Sequence, residues 1–368
     1  MKNIPGAKPF FFNKKKINAD IQKTLRNGIL SSGSFLNKFE NLFCKKTNVK
    51  FAAAVNSGGT ALEIALESLN VKNKEVIVPT QTFIATANSV IRAGGTPVFC
   101  DIDKDTGCVD LDSIKKKITS KTAGIIFVYM FGIIPNSVLD IKYFCKKNNF
   151  FLLEDASHAH GASIKNYKIG SIGDLATFSF YSTKILTCGE GGIITTNNKK
   201  LYEKCKIILN HGKDLKKNLF LYSGNNYRLS EIQCLLAYNQ LKYLDLFIKH
   251  RNKIAKIYYE NLKNCNSLQL FKLYPQSLNS FWRYPIYLKK GNRKKLQDIF
   301  SKKYKIRITW MYEPLCHQQP VFKSSSRSKL PEAEKSIKRL INLPTHYGVT
   351  IADAKRISKY LKNEITNI

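Results

Sequence analysis

Phe178-Ser-Phe-Tyr-Ser-Thr-Lys-Ile-Leu-Thr-Cys-Gly-Glu-Gly-Gly192 is the stretch on which the fold turns. It begins as a strand: Ala176, Phe178 and Phe180 alternate with Thr177, Ser179 and Tyr181. Lys184 follows, then Gly189 to Gly192, whose glycines let a backbone turn tightly or approach a ligand closely. Ile193-Ile-Thr-Thr196 resumes an apolar run at once. A lysine between two buried strands has two readings. It is a solvent-facing residue of a hairpin loop, in a chain rich in lysine. Or it is a desolvated amine, which has a depressed pKa and suits Schiff-base chemistry.

A second stretch favours the chemical reading. Phe151-Leu-Leu-Glu-Asp-Ala-Ser-His-Ala-His-Gly161 is an apolar strand that ends in two carboxylates, followed by small residues and two histidines. Acids at the carboxyl end of a buried strand sit where open α/β sheets bind ligands. Pyridoxal phosphate chemistry needs a lysine for the aldehyde and an acid beside the ring nitrogen. Lys184 and Asp155 are of those types.

The two motifs together resemble the DegT/DnrJ/StrS family of pyridoxal phosphate-dependent nucleotide-sugar aminotransferases, of aspartate aminotransferase fold type I. The resemblance runs from about Gly28 to Gly348. It implies an α/β fold: a large domain with a mainly parallel seven-stranded sheet between helices, plus a small C-terminal α+β domain. Residues 1–248 and 249–368 are the expected division. It implies pyridoxal 5'-phosphate as cofactor and a ping-pong transfer of an amino group, from glutamate to a 3- or 4-keto-deoxyhexose on a nucleoside diphosphate. It also implies a homodimer with shared active sites.

The same resemblance supplies roles. Lys184 is the catalytic lysine and Asp155 the partner of the ring nitrogen. His158 lies near the ring and Phe83 stacks on it. Ser179 and the Gly58-Gly59 turn hold the phosphate, and Asn226 of Gly224-Asn-Asn-Tyr-Arg228 reaches the neighbouring subunit's phosphate. Tyr312 and His317, in Tyr312-Glu-Pro-Leu-Cys-His-Gln-Gln-Pro320, approach the sugar. Taken singly, several of these have plainer readings: Phe83 a core residue, Asn226 a helix N-cap, His317 a surface residue, Ser179 a structural hydrogen bonder. Gly59 stands where the family usually carries Thr, so backbone N–H groups rather than that side chain are expected at the phosphate.

Composition narrows the rest. The 368 residues suffice for a large α/β domain and a smaller one, and 43% hydrophobic content is ordinary for a globular protein. No apolar run approaches the ~20 residues of a membrane span. The cytoplasm is the default location. The nine cysteines are odd in number, with no Cys-x-x-Cys pair, so neither a disulfide framework nor a metal site is expected. Cys188 reads as a packing residue. The net charge of +34 would draw nucleic acid or anionic membrane nonspecifically. Its lysines are scattered and no recognition motif appears, so a basic nucleic-acid-binding protein is the weaker alternative. A sugar dehydratase of the same family would carry histidine at Lys184, and a cysteine desulfurase would need a catalytic cysteine loop.

Near-continuous apolar strands at the start of 75–87, which reads as strand then helix, and at 97–103 and 124–132, alternating with helices, predict a parallel sheet. A helical pattern is expected within residues 1 to about 30, along the apolar positions Ile17, Ile21, Leu25 and Ile29 and ending at Gly28 to Gly33, with further helices at 36–47, 201–209 and 293–304. The small domain is expected to hold strands at 282–288 and near 305–309.

Overall fold

The computed structural model describes residues 3–325 and 329–366. Seven strands form the main sheet: β1 (Phe51–Val55), β2 (Glu75–Pro79), β3 (Thr96–Cys100), β4 (Thr122–Val128), β5 (Phe151–Asp155), β6 (Leu175–Ser179) and β7 (Gly192–Thr196). Their order is β1-β7-β6-β5-β4-β2-β3. Strands β3, β2, β4, β5 and β6 are parallel. Strand β7 alone runs against its neighbours. The expected mainly parallel, seven-stranded sheet is therefore present. Its central strands are buried on both faces, which explains apolar runs without alternation.

Helices cover both faces of this sheet. They are α1 (Lys14–Asn27), α2 (Ser34–Thr47), α3 (Gly58–Ser68), α4 (Ile84–Arg92), α5 (Leu111–Lys115), α6 (Ser137–Lys147), α7 (Lys199–Ile208) and α8 (Glu231–Leu241). Phe39 and Phe43 of α2 meet Phe178 and Phe180 edge to face at 4.9–5.9 Å between ring centres. Such pairs contribute about 0.5–1.5 kcal/mol beyond the area they bury. They fix one face of the strand that leads to Lys184.

The C-terminal layer is an antiparallel sheet of β8 (Leu268–Leu270), β9 (Tyr284–Leu288) and β10 (Leu340–Leu343), in the order β8-β9-β10. Around it lie α9 (Leu244–Leu262), α10 (Arg293–Tyr304), α11 (Pro331–Arg339) and α12 (Ile351–Ile365). The boundary expected after residue 248 falls inside α9, which runs unbroken from the large layer into the small one.

Two local expectations change. α1 ends at the start of the expected Gly28 to Gly33 turn, because Gly28 adopts φ 69 and its N–H closes on the Leu25 carbonyl. Ile29 is therefore outside the helix. The face α1 buries is Ile17, Asp20 and Thr24, and Leu25 is exposed. At 305–309 there is no strand. Ile306 forms an isolated bridge with Ile4, and Thr309 one with Asn342, so the N-terminal segment occupies the edge a strand would have used. Among the described residues, no helix is long and apolar enough to cross a membrane.

Candidate active site

The carboxyl ends of β1, β2, β5 and β6 converge on one cavity of 780 Å³. This is the edge at which open α/β sheets bind ligands. Each strand hands over to a turn or helix there, so the functional side chains sit on rigid supports.

The two adjacent carboxylates of β5 have opposite surroundings, because successive side chains of a strand face opposite sides. Asp155 lines the cavity. One of its oxygens accepts the Thr86 hydroxyl at 2.8 Å and the other the Ser157 N–H at 3.2 Å. Glu154 points into the protein and is fully buried. It accepts the Tyr129 hydroxyl at 2.5 Å and the N–H groups of Gly170, Ile172 and Gly173 at 3.2, 2.8 and 2.8 Å. Burial raises its carboxyl pKa, against the pull of those hydrogen bonds. Glu154 ties the chain 170–173 to β5, while Asp155 faces the ligand space.

Lys184 lies on the irregular segment after β6, with its amine in the same cavity. Desolvation pulls its pKa down to about 8, against the attraction of Asp155, and the Arg283 cation pulls it the same way. Its Nζ is 4.8 Å from the centre of the Trp282 ring. The Trp282 indole N–H donates to the Thr183 carbonyl at 2.7 Å, and this holds the lysine segment against the C-terminal layer. His158 stacks on Trp282 at 3.8 Å and 10°. Its Nε2 is 3.3 Å from the Tyr312 hydroxyl, and its Nδ1 is buried without a partner. Burial holds the ring neutral, well below the usual histidine range.

The turn after β1 makes an anion cradle. Ser57 caps α3, its hydroxyl accepting the Thr60 N–H at 3.1 Å. The first turn of a helix has no intrahelical acceptors for its N–H groups, so those of Gly58 and Gly59 remain for a ligand. Both glycines line the cavity beside Ser179. A Cβ on Gly58 would lie 2.6 Å from the Ser179 Cβ, so glycine is required for this approach. The Thr60 hydroxyl is turned to Ser57 at 2.8 Å.

Of the residues expected from sequence, Lys184, Asp155, His158, Ser179, Gly58, Gly59, Phe83 and Tyr312 all line this cavity. Phe83 is 53% exposed at the N-terminus of α4, so it is no core residue. Its ring lies 5.4 Å from that of Tyr312. Two expected residues are placed elsewhere. His317 is buried behind the wall, with Nδ1 2.6 Å from the Thr80 hydroxyl and Nε2 3.2 Å from Glu334. Both ring nitrogens are engaged, and in this arrangement His317 ties the residue after β2 to α11 and does not line the cavity. Asn226 is exposed and outside this chain's own cavity. It does not cap α8, because Ser230 does so through a capping box with Gln233. Cys188 is buried, its thiol donating to the Glu190 carbonyl at 3.1 Å and pushed up to about 12 by burial.

Sequence reasoning passed over Thr86, Trp282, Arg283 and the N-terminal Pro5-Gly-Ala7, all of which line the cavity. The one available signal was a lone arginine inside the apolar run Phe281-Trp-Arg-Tyr-Pro-Ile-Tyr-Leu288. Among the described residues, no cluster of three metal-ligating side chains occurs.

The donor set suits pyridoxal phosphate: an anion cradle at a helix N-terminus, a carboxylate with free lone pairs, and a buried amine of depressed pKa. The fold and this site define a pyridoxal phosphate-dependent aminotransferase of fold type I. Residues 12–362 match the DegT/DnrJ/EryC1/StrS aminotransferase family, and the chain belongs to it. The chain is 35% identical to the GDP-perosamine synthase of Escherichia coli O157:H7 over 351 residues, 94% of each protein. It is 32% identical to the UDP-4-amino-4,6-dideoxy-N-acetyl-beta-L-altrosamine transaminase of Campylobacter jejuni 81-176, over 93% of this chain and 92% of that one. Among solved structures, Helicobacter pylori PseC, an aminotransferase of pseudaminic acid biosynthesis, superimposes over 100% of both chains with TM-score 0.91 and 28% identity. The NtdA protein of Bacillus subtilis, solved with bound cofactor PMP, superimposes with TM-score 0.90 and 25% identity, over 98% of this chain and 86% of that one.

Proposed function

We propose that this enzyme transfers an amino group from glutamate to the C4 ketone of a 4-keto-6-deoxyhexose carried on a nucleoside diphosphate. The product would serve polysaccharide biosynthesis. The observation that carries the reading is the single cavity in which Lys184, Asp155 and the N-terminus of α3 meet. The perosamine synthase and the 4-amino-sugar transaminase among the relatives support the acceptor class.

When bound, pyridoxal phosphate supplies the carbonyl that takes the amine and the ring that withdraws electrons from the donor's α-carbon. Gly58, Gly59 and Ser179 would hold its phosphate. Asp155 offers its carboxylate to the protonated ring nitrogen, and Thr86 and the Ser157 N–H fix that carboxylate in place. Phe83, exposed where it lines the cavity, would bound the ring. Lys184 moves the proton from the donor's α-carbon and later delivers one to the sugar carbon that receives nitrogen. A pKa of about 8 leaves a useful share of its amine neutral near neutral pH.

The working unit of this reading is a homodimer. Leu25, Ile29 and Leu30, together with Leu215, Leu219 and Phe220, leave large apolar side chains exposed on the single chain. Asn226 lies outside its own cavity, as a residue serving a partner's phosphate would. The test is amination of GDP- and UDP-linked 4-keto-6-deoxyhexoses with glutamate, followed by mass spectrometry. A mass change for the amino sugar is expected with the wild type and none with Lys184→Ala. Failure to aminate any keto-sugar nucleotide would overturn the reading.

A further inference from the structure

The chain from Ile4 to Phe12 lies outside any helix or strand, yet it is fixed at both ends. Ile4 is buried and bridges Ile306. Its N–H donates to the Lys305 carbonyl and its carbonyl accepts the Arg307 N–H, both at 2.9 Å. The Pro5 carbonyl accepts from His346 Nε2 at 2.9 Å. His346 Nδ1 accepts the Gly348 N–H at 3.2 Å, so the ring proton sits on Nε2. Burial pulls the His346 pKa down to about 4, against the raising effect of the Pro5 carbonyl, so the ring stays in this neutral form. At the other end Phe12 stacks on Tyr243 at 4.5 Å and Phe10 lies 4.7 Å from Tyr347. The Phe10 carbonyl accepts the Gln240 amide at 2.8 Å.

Between these anchors Pro5, Gly6 and Ala7 form part of the cavity wall. A Cβ on Gly6 would lie 3.3 Å from the Thr309 methyl and 3.6 Å from the Arg307 carbonyl. The strap therefore lies flush on the 307–309 segment and has no room to withdraw from the cavity. Its three side chains are a ring, a hydrogen and a methyl. They carry no charge and no hydrogen-bonding group, unlike the phosphate cradle, Asp155 and Lys184. The chemistry of the two substrates then decides which of them meets this wall. Glutamate has a carboxylate at each end. The nucleoside diphosphate has an anionic linker and a base with polar edges. The 6-deoxyhexose has one apolar edge, C5 with its C6 methyl, and burying a methyl against an apolar wall is favourable.

We propose that Pro5-Gly6-Ala7 is the wall against which the C5–C6 edge of the acceptor's hexose packs, and that Ala7 sets the room left for that edge. The proposal rests on the aminotransferase reading above. It makes the strap a determinant of acceptor specificity that the donor amino acid does not feel. The anchors at Ile4, Pro5, Phe10 and Phe12 hold the wall at a fixed distance, as discrimination by fit requires.

The two half-reactions separate acceptor from donor. Glutamate added to the holoenzyme changes the cofactor's visible spectrum, and keto-sugar nucleotide added to the aminated enzyme reverses it. Ala7→Leu adds bulk to a wall that cannot move back. It should weaken the sugar-nucleotide half-reaction by about 10- to 100-fold, the range for a misfit of a methylene or so in an apolar pocket. The glutamate half-reaction should stay within about threefold, which also shows that the variant is folded. Gly6→Ala pushes the strap off Thr309 and should give a smaller loss of the same kind. Binding is read separately by calorimetry with GDP-rhamnose and UDP-rhamnose, 6-deoxyhexose nucleotides without a ketone, against free GDP and UDP. The sugar nucleotide that the wild type binds should lose affinity for Ala7→Leu by the same factor, while its free nucleotide keeps its affinity. An equal loss for the free nucleotide would put the strap at the nucleotide. A matching loss for glutamate would put it at the donor. No loss for either substrate would leave the strap without this role. Each of these three results overturns the proposal. Failure of the aminotransferase reading itself would look different: wild-type holoenzyme would show no spectral change with any amino acid.

Discussion

Glu154→Ala and Asp155→Asn should separate a structural carboxylate from a functional one a single residue away. Removing the Glu154 side chain strands four donors at once: the Tyr129 hydroxyl and three backbone N–H groups. Each buried donor left without an acceptor costs about 1–3 kcal/mol. Water entering the vacated space would satisfy some of them, so the low end of the sum, about 4 kcal/mol, is the working figure. For a chain of this size that lowers the midpoint of thermal unfolding by on the order of 5–10 °C. Asp155→Asn keeps the shape and one acceptor oxygen for Thr86 or Ser157, so stability should change by about 1 kcal/mol or less. It removes the charge opposing the desolvation of Lys184, so the amine pKa should fall further below about 8. It also removes the partner of the ring nitrogen, and transamination should drop by on the order of a thousandfold or more. Thermal unfolding by circular dichroism and single-turnover rates on the same preparations make the comparison. A larger loss of stability in Asp155→Asn than in Glu154→Ala would refute the assignment. So would a Glu154→Ala enzyme with wild-type melting and no activity.

In cofactor-free protein, Lys184 should be the lysine that titrates first. Its charged form is disfavoured by burial, so its labelling by a small amine-reactive reagent should rise through about pH 8, with exposed lysines following near pH ~10.4; peptide mapping checks this, and labelling in step with the surface lysines would exclude a depressed pKa. By the same linkage, wild-type stability should rise as pH goes from about 8 toward ~10.4, because the unfolded amine binds the proton over that window and the folded one has released it; Lys184→Met, with no charge to desolvate, should lose this rise and be the more stable of the two below about pH 8 in urea unfolding. Gly58→Ala places a Cβ against Ser179, and should cost cofactor affinity about tenfold or more by equilibrium dialysis; unchanged affinity would mean the cradle lies elsewhere. Co-expressed Lys184→Ala and Asn226→Ala subunits, isolated as heterodimers, should regain one site of normal cofactor affinity if Asn226 acts across the interface. A heterodimer no better than the Asn226→Ala homodimer would place Asn226 in its own chain's function.

Strand periodicity was legible in the sequence because it needs no partner. The apolar runs of β2, β4 and β5, the switch from strand to irregular chain after Ser179, and the span of α10 all depend on residues within a few positions of one another. Lys184 and Asp155 could be singled out on the same local grounds: each is a charged residue where an apolar strand gives out. The sequence also holds the choice between Glu154 and Asp155, once β5 is known to alternate its faces. It does not say which face carries the cavity. That depends on α3, α4 and the C-terminal layer closing over one side, and on Tyr129 and the 170–173 segment closing the other.

The remaining decisions belong to tertiary structure. His317 lies in a motif like those around a sugar site, yet Thr80 and Glu334, 237 and 17 residues away, take both its nitrogens. The edge at 305–309 pairs with Ile4 because the N-terminal segment crosses there. Trp282 and Arg283 read as part of a buried strand, and only their approach to Thr183 and His158, across the seam between the two layers, gives them a place at the site. Local propensity sets which residues form a strand or helix. Which charges end up desolvated together, and so which pKa values move, is set by contacts the fold makes between distant segments, as where Asp155 and Arg283, 29 and 99 positions away, meet Lys184.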